Sequence, residues 1–435
     1  MSEIAAIVLA DPAPLAIASG APSADARLLG LSLAWRAVLT ADRLGAATVF
    51  VAGPEALVAG IEKSPHRVSA RLATGSVLDL VPEARPAGTI ALVLCPWVLL
   101  EKRHMRSLIE KGERGLTLAV TRASDPVRPW PELRCHELVV ATMARELSHP
   151  DGQALPVIAG PWRDVVAVLR DAVGEDGEAL SPARWARRAT AAFHPEGSYQ
   201  TLLLPRDFRR AASWLFAGLG SSADGIVDKH LNRRVSKYVT LAVVNGAVTP
   251  NHITLASFAL GLLAVGAIAT GSYGLAVLGA ALLQVSAMVD CADGELARLK
   301  YLESPFGAKL DIALDNVVHM LLFVAVGWSV SRTEGPLAVK LGIASAIGAA
   351  ISFGLVYTAL FGRKAGGAGA GPVERFIDKM TNRDFSLLLL ACAVAGKLAW
   401  FLWALAIGVQ AFWLALLAIR IQAWTRARES PDAAA

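Results

Sequence analysis

The sequence predicts an N-terminal α/β Rossmann-like soluble domain followed by an all-α polytopic membrane domain of six transmembrane helices. Three observations carry this expectation. Residues 1–205 alternate short apolar runs with helical stretches, the pattern of a layered α/β fold. From Tyr238 to Val289 there is no Asp, Glu, Lys or Arg, a longer stretch than the about 20 residues one bilayer crossing needs. Hydrophobic residues make up 54% of the 435 positions, above the globular norm, and they concentrate in the second half. The formal charge of +5 is modest and reflects Lys and Arg near membrane ends, not a nucleic-acid surface.

In the first domain, strands are expected at Ala5–Ala10, Thr48–Ala52, Ile90–Cys95, Leu116–Val120 and Leu138–Ala141. Leu29–Leu44 and His104–Gly112 read as helices between them. No run in this half is long enough to cross a bilayer. The start, M-S-E-I-A-A-I-V-L-A, lacks the basic region of a signal peptide and is too short for one. Cys95, Cys135, Cys291 and Cys392 show no metal spacing and no disulfide framework, as expected in a reducing cytoplasm.

Residues 206–249 are amphipathic and basic, and read as one or two helices lying on an anionic membrane surface. The membrane domain is expected over residues 250–422, with a cytoplasmic tail at 423–435. Thr249-Pro250-Asn251 is a helix start, so the first span runs near Asn251–Thr270 and turns at Gly271–Gly274. The second continues to about Leu299, the third runs from Gly307 to about Ser331, the fourth is Leu341–Gly362, and the last is Leu398–Ile419. Phe385–Gly396 is too short to cross alone, so a fifth helix begins near Asn382 or earlier, or is tilted into the protein. Basic residues fall on one side of this arrangement: Arg298 and Lys300, the Arg363–Arg383 loop, and Arg420, Arg426 and Arg428. The positive-inside rule makes that side cytoplasmic, with both termini.

The chemistry concentrates between Asp290 and Asp315. Asp290, Asp293, Gly294 and Ala297 share one helical stripe with Arg298 at its edge, and Gly307, Asp311 and Asp315 form a second at i, i+4 and i+8. Ser304-Pro305 between them is a turn that folds the two helices together. Acids in so apolar a setting are expensive and mark a functional site. Clustered carboxylates repel unless cations sit among them, and oxygen-only ligands suit Mg²⁺ or Mn²⁺. Two such ions clamp the attacking and leaving oxygens of a phosphoryl displacement. The glycines admit a ligand close to the backbone, and Arg298 is placed to hold a phosphate. The competing reading is a transporter or ion-coupled membrane protein that uses the acids as a cation site.

The pattern D-x2-D-G-x2-A-R-x8-G-x3-D-x3-D resembles the signature of the CDP-alcohol phosphotransferases, and Asp290, Asp293, Gly294, Ala297, Arg298, Gly307, Asp311 and Asp315 match it at every position. The resemblance implies an integral protein of the inner cell membrane, homodimeric, that moves a phosphoalcohol from a CDP-alcohol donor to an acceptor hydroxyl and releases CMP. It implies two Mg²⁺ or Mn²⁺ ions on Asp290, Asp293 and Asp311, with Asp315 touching a metal and acting as general base. Gly294, Ala297, Arg298 and Gly307 would line the CDP moiety. CDP-diacylglycerol and CDP-inositol remain alternative donors. A phosphorylated acceptor needs a basic pocket, for which Lys309, Arg363, Arg383 and Arg420 are candidates.

The first domain resembles the sugar-phosphate nucleotidyltransferases, which are fused to this membrane family in some inositol-phosphodiester enzymes. Its chemical parts are missing. The first loop reads Ala10-Asp11-Pro12-Ala13-Pro14, without glycine or base, Cys95-Pro96 follows the strand where a metal-binding Asp is expected, and no acid occurs between Glu196 and Asp207. The expectation is a degenerate, non-catalytic domain.

Overall fold

A computed structural model describes residues 2–10, 21–53, 66, 68–75, 84–121, 132–136, 139–144, 152–171, 188–195, 199–219, 231–361 and 385–429. The chain divides into two compact units, Met1–Gly218 and Leu219–Ala435.

The first unit is built on a mixed nine-stranded sheet. Its strands are β1 (Ile4–Leu9), β2 (Ala46–Ala52), β3 (Arg71–Gly75), β4 (Ile90–Leu94), β5 (Thr117–Val120), β6 (Glu132–His136), β7 (Val139–Ala144), β8 (Gly152–Pro161) and β9 (Ala191–Phe193). The main path runs β7-β6-β8-β4-β1-β2-β3, with β5 beside β8 and β9 beside β5. β1 pairs in parallel with both β2 and β4. Ile-Ala-Ala-Ile-Val-Leu of β1 is buried at every position, as a parallel strand covered on both faces must be. The sheet is completed by helices α1 (Leu33–Arg43), α2 (Lys102–Gly112) and α3 (Trp162–Asp171). A helix α4 (Asp207–Ala217) closes the unit, so the compact body extends past residue 205, to Gly218.

Two sequence expectations need correction here. The helix expected from Leu29 begins only at Leu33, because Arg27–Leu28 and Leu31–Ser32 form a hairpin. Leu29 (φ 49°) and Gly30 (φ 80°) take the left-handed conformations of a primed turn, and Ser32 then caps the helix by accepting the Trp35 N–H at 3.2 Å. The long strand β8 was not expected, because Pro156 interrupts its run. The structure places that proline where the β8–β5 register shifts between Ala154 and Ile158, a position where a missing N–H is tolerated.

The second unit is helical: α5 (Arg233–Val243), α6 (Pro250–Ala269), α7 (Tyr273–Lys300), α8 (Pro305–Glu334), α9 (Leu337–Phe361), α10 (Phe385–Val394) and α11 (Leu398–Glu429). Among the described residues five helices, α6–α9 and α11, are long and apolar enough to span a membrane. α10 is shorter, and the residues before it, 362–384, lie outside the described ones, as does the Ala365–Gly371 loop. α8 extends to Glu334 and α11 to Glu429, beyond the ends expected at Ser331 and Ile419.

The starts of α6 and α8 follow from their sequence. Pro250 stands at the start of α6, and His252 Nδ1 accepts the Thr249 N–H at 3.3 Å, so this histidine caps the helix. α7 ends at Tyr301 in the left-handed region (φ 56°), and α8 starts on Ser304, whose hydroxyl accepts the Gly307 N–H at 2.9 Å, with Pro305 next. Ile268, Leu283, Leu322, Phe323, Val326 and Leu389 form the core between the helices. Small residues set the closest approaches: a Cβ on Gly279 would lie 2.7 Å from the Ala264 carbonyl, and one on Gly327 would lie 2.7 Å from that of Ala338.

Candidate functional site

α7 and α8 meet at the Tyr301–Ser304 turn, and the two acidic stripes face one another near that end. One carboxylate oxygen from each of Asp290, Asp293 and Asp311 lies within 4.8 Å of the other two. Asp290 is buried, and Asp293 and Asp311 are half-buried. Asp315 stands one turn further along α8, about 6 Å by helical rise, outside that triplet.

A cleft on the turn side of the acids is lined by Asp293, Gly294, Ala297, Arg298, Gly307 and Asp311. The Arg298 guanidinium lies over Gly294, where an added Cβ would meet Nη1 at 3.3 Å. A Cβ on Gly307 would meet Ser304 Oγ at 3.0 Å and Asn251 Oδ1 at 3.2 Å. Both glycines line the cleft, and a side chain at either would crowd the polar groups beside it. A second compartment on the other side holds Asp290 and Asp315 with Ser257, Ser286, His319 and Ser386. Phe258, Leu283, Val318 and Phe385 give this compartment an apolar wall. Thr254 belongs to both compartments.

Helix α6 supports the acids from behind. Thr254 Oγ1 donates to Asp293 Oδ2 at 2.5 Å, and Ser257 Oγ donates to Asp290 Oδ1 at 3.1 Å. Ser286 Oγ in turn donates to the Ser257 carbonyl at 2.7 Å. Hydroxyls held this way fix which carboxylate oxygen remains free to bind. Sequence reasoning missed Thr254 and Ser257; the available signal was two hydroxyls at i, i+3 in an otherwise apolar span. It also missed His319, one turn beyond Asp315, which stacks on Phe323 and meets Phe385 edge-on.

The donor set fits a hard divalent cation, since all ligand atoms on offer are carboxylate oxygens and converging acids need positive charge among them. Of the basic candidates, two are among the described residues. Lys309 is exposed on α8 and Arg420 lies on α11, and neither lines either compartment. Arg363 and Arg383 lie outside the described residues.

In the first unit, Cys95 after β4 is fully buried, and that burial pushes its thiol up to about 12. The thiol is neutral at ordinary pH and offers no anionic ligand. The Asp11–Pro14 loop lies outside the described residues.

Residues 247–411 match the family model described as CDP-alcohol phosphatidyltransferase. A protein of Aquifex aeolicus named bifunctional IPC transferase and DIPP synthase is 26% identical over 234 residues, 53% of each chain. A protein of Thermococcus kodakarensis with the same name is 36% identical over 115 residues, 26% of each chain. The aligned stretches thus span about half or less of these relatives' length. Among solved structures, the inositol-1-phosphate CTP transferase from T. maritima is similar at a TM-score of 0.38 and 14% identity, covering 49% of this chain and 95% of that one.

Proposed function

From a helical unit whose residues 247–411 match the CDP-alcohol phosphatidyltransferase family model, we propose that this chain is an integral membrane protein that transfers a phosphoalcohol from a CDP-alcohol to an acceptor hydroxyl and releases CMP. The observation that carries this reading is the convergence of Asp290, Asp293 and Asp311 beside a cleft that Arg298, Gly294 and Gly307 also line. A cation-coupled transporter has no use for Arg298 and the glycines at that place.

Asp290, Asp293 and Asp311 would hold two Mg²⁺ or Mn²⁺ ions, with Asp315 touching one; such ions neutralise the donor pyrophosphate and the charge on departing CMP. Arg298 pairs with a phosphate of the donor, and Gly294, Ala297 and Gly307 admit the nucleotide close to the helices. Asp315 takes the proton of the acceptor hydroxyl, whose oxygen then forms the new bond to phosphorus. The bond from phosphorus to CMP breaks, and CMP leaves with the electron pair. Thr254 and Ser257 keep Asp293 and Asp290 oriented meanwhile. The names of the relatives favour an inositol-phosphodiester product over a diacylglycerol lipid. Purified protein given CDP-inositol or CDP-diacylglycerol with a panel of alcohols, and products identified by mass, tests this choice. A CMP-releasing reaction with CDP-diacylglycerol alone would sink the inositol reading.

The topology in this reading has six spans, the fifth including α10, with both termini and the site in the cytoplasm and the protein in the inner membrane as a homodimer. Labelling of the 365–371 loop from outside intact cells would break it. The first unit is read as a degenerate nucleotidyltransferase: Asp11-Pro12-Ala13-Pro14 offers no phosphate cradle, and the neutral thiol of Cys95 stands where a metal acid is needed. Full-length protein with CTP, Mg²⁺ and phosphorylated alcohols is expected to release no pyrophosphate.

A further inference from the structure

The juxtamembrane helix α5 packs through a polar stripe. Asn232, Ser236 and Thr240, at i, i+4 and i+8, are all buried, whereas Leu231, Val235, Tyr238 and Leu241 are exposed. That stripe meets two buried polar side chains of the site helix α7. Gln284 Nε2 donates to Asn232 Oδ1 at 2.7 Å, and Ser386 of α10 donates to Gln284 Oε1 at 2.8 Å. Eleven residues along α7, Glu295 accepts from Ser236 Oγ at 2.6 Å and from Thr240 Oγ1 at 2.7 Å. Arg233 Nη1 lies 3.6 Å from the same carboxylate, which is 2% exposed. A carboxylate is retained in such a place only if its oxygens are satisfied, and here both are.

At 3.6 residues per turn Gln284 and Glu295 share one face of α7, and Asp290, Asp293 and Ala297 lie on the opposite one. Glu295 lines neither compartment of the site. We infer that Glu295 is a positioning residue: its clamp by Arg233, Ser236 and Thr240 fixes the rotation of α7 and so aims Asp290 and Asp293 at Asp311. The magnitudes make rotation the sensitive coordinate. Turning the helix by about 20° moves an oxygen about 6 Å from its axis by about 2 Å. Ligand sets tolerate about 0.5 Å. The inference rests on reading the acids as a divalent-cation site.

The test is Mn²⁺ binding, followed by electron paramagnetic resonance on full-length protein in lipid nanodiscs without substrate. Glu295→Leu should weaken Mn²⁺ about 10- to 100-fold, as loss of an outer support typically does. The double change Ser236→Ala with Thr240→Ala should act in the same direction and stands in if Glu295→Leu does not fold. Glu295→Gln should recover most of the affinity, because the hydroxyls can both donate to and accept from an amide. A general loss of stability would lower the melting temperature without changing the affinity of the folded fraction. Wild-type affinity in either folded variant overturns the inference, as does a wild-type protein that binds no Mn²⁺. Mn²⁺ binding by wild type without CMP release from any CDP-alcohol instead sinks the transfer reading, and the variants still decide the role of Glu295.

Discussion

In the α/β unit Arg36, Thr40 and Thr121 bond to the backbone, whereas in the membrane unit a set of buried polar side chains reach one another across helices. Arg36 donates to the Leu28 carbonyl, Thr40 to that of Arg36, and Thr121 accepts the Gln153 N–H. Such bonds stay within a helix or tie a side chain to a nearby hairpin or strand. In the membrane unit Thr254 reaches Asp293, Ser257 reaches Asp290, Ser236 and Thr240 reach Glu295, and Gln284 joins Asn232 to Ser386. Carboxylates between apolar helices are costly, so a set that is both buried and oriented marks chemistry. The α/β unit offers Cys95 at the corresponding kind of position, and burial keeps it neutral.

Substitutions test that contrast. Asp315→Asn should give the largest effect, lowering CMP release by about 10²- to 10⁴-fold, the usual worth of a general base, with donor binding retained. Equilibrium binding of the CDP-alcohol beside the rate measurement checks both halves. Asp293→Asn and Thr254→Val come next: each should raise the half-saturating metal concentration by about 10- to 100-fold, with Thr254→Val at the lower end. A Thr254→Val enzyme with unchanged metal dependence would show that its 2.5 Å bond is incidental.

The smallest effect belongs to Cys95. Burial pushes its folded thiol up to about 12, above the ordinary thiol range, so the folded unit holds a proton that the unfolded chain has already lost at high pH. Stability from this group is complete below about pH 9 and falls as pH rises towards 12. Cys95→Ala should flatten that part of a thermal-melting pH profile and leave CMP release unchanged. Iodoacetamide at pH 8 should spare Cys95 until the unit unfolds.

Much of the membrane unit was legible because its signals are long and local. A charge-free stretch, Thr249-Pro250 and Ser304-Pro305 marked the helices, and helical spacing placed Asp290, Asp293 and Asp311 on facing stripes. The roles of the hydroxyls were not legible, because whether Thr254 or Ser236 reaches a carboxylate depends on helix packing that no local window contains. The expectation that the basic segment after residue 205 forms surface helices found α4 and α5 as helices, but not the polar face by which α5 grips α7. In the α/β unit β1, β2, β4, β5 and β7 were found, whereas β3, β6, β8 and β9 were missed; in β8, Pro156 reads as a strand breaker until a register shift accommodates it. Leu29 at positive φ was equally invisible, because leucine carries no turn preference.

In the proposed reading the acids of α7 and α8 run a cation-dependent transfer from a CDP-alcohol. The direct measurement is CMP release by full-length protein, stripped with chelator and then titrated with Mn²⁺ at fixed CDP-inositol and acceptor. The expected result is no release without the ion, saturable release with it, and a curve displaced to higher Mn²⁺ by Asp293→Asn. Release that ignores the chelator, or an Asp293→Asn curve that overlays the wild type, would contradict it.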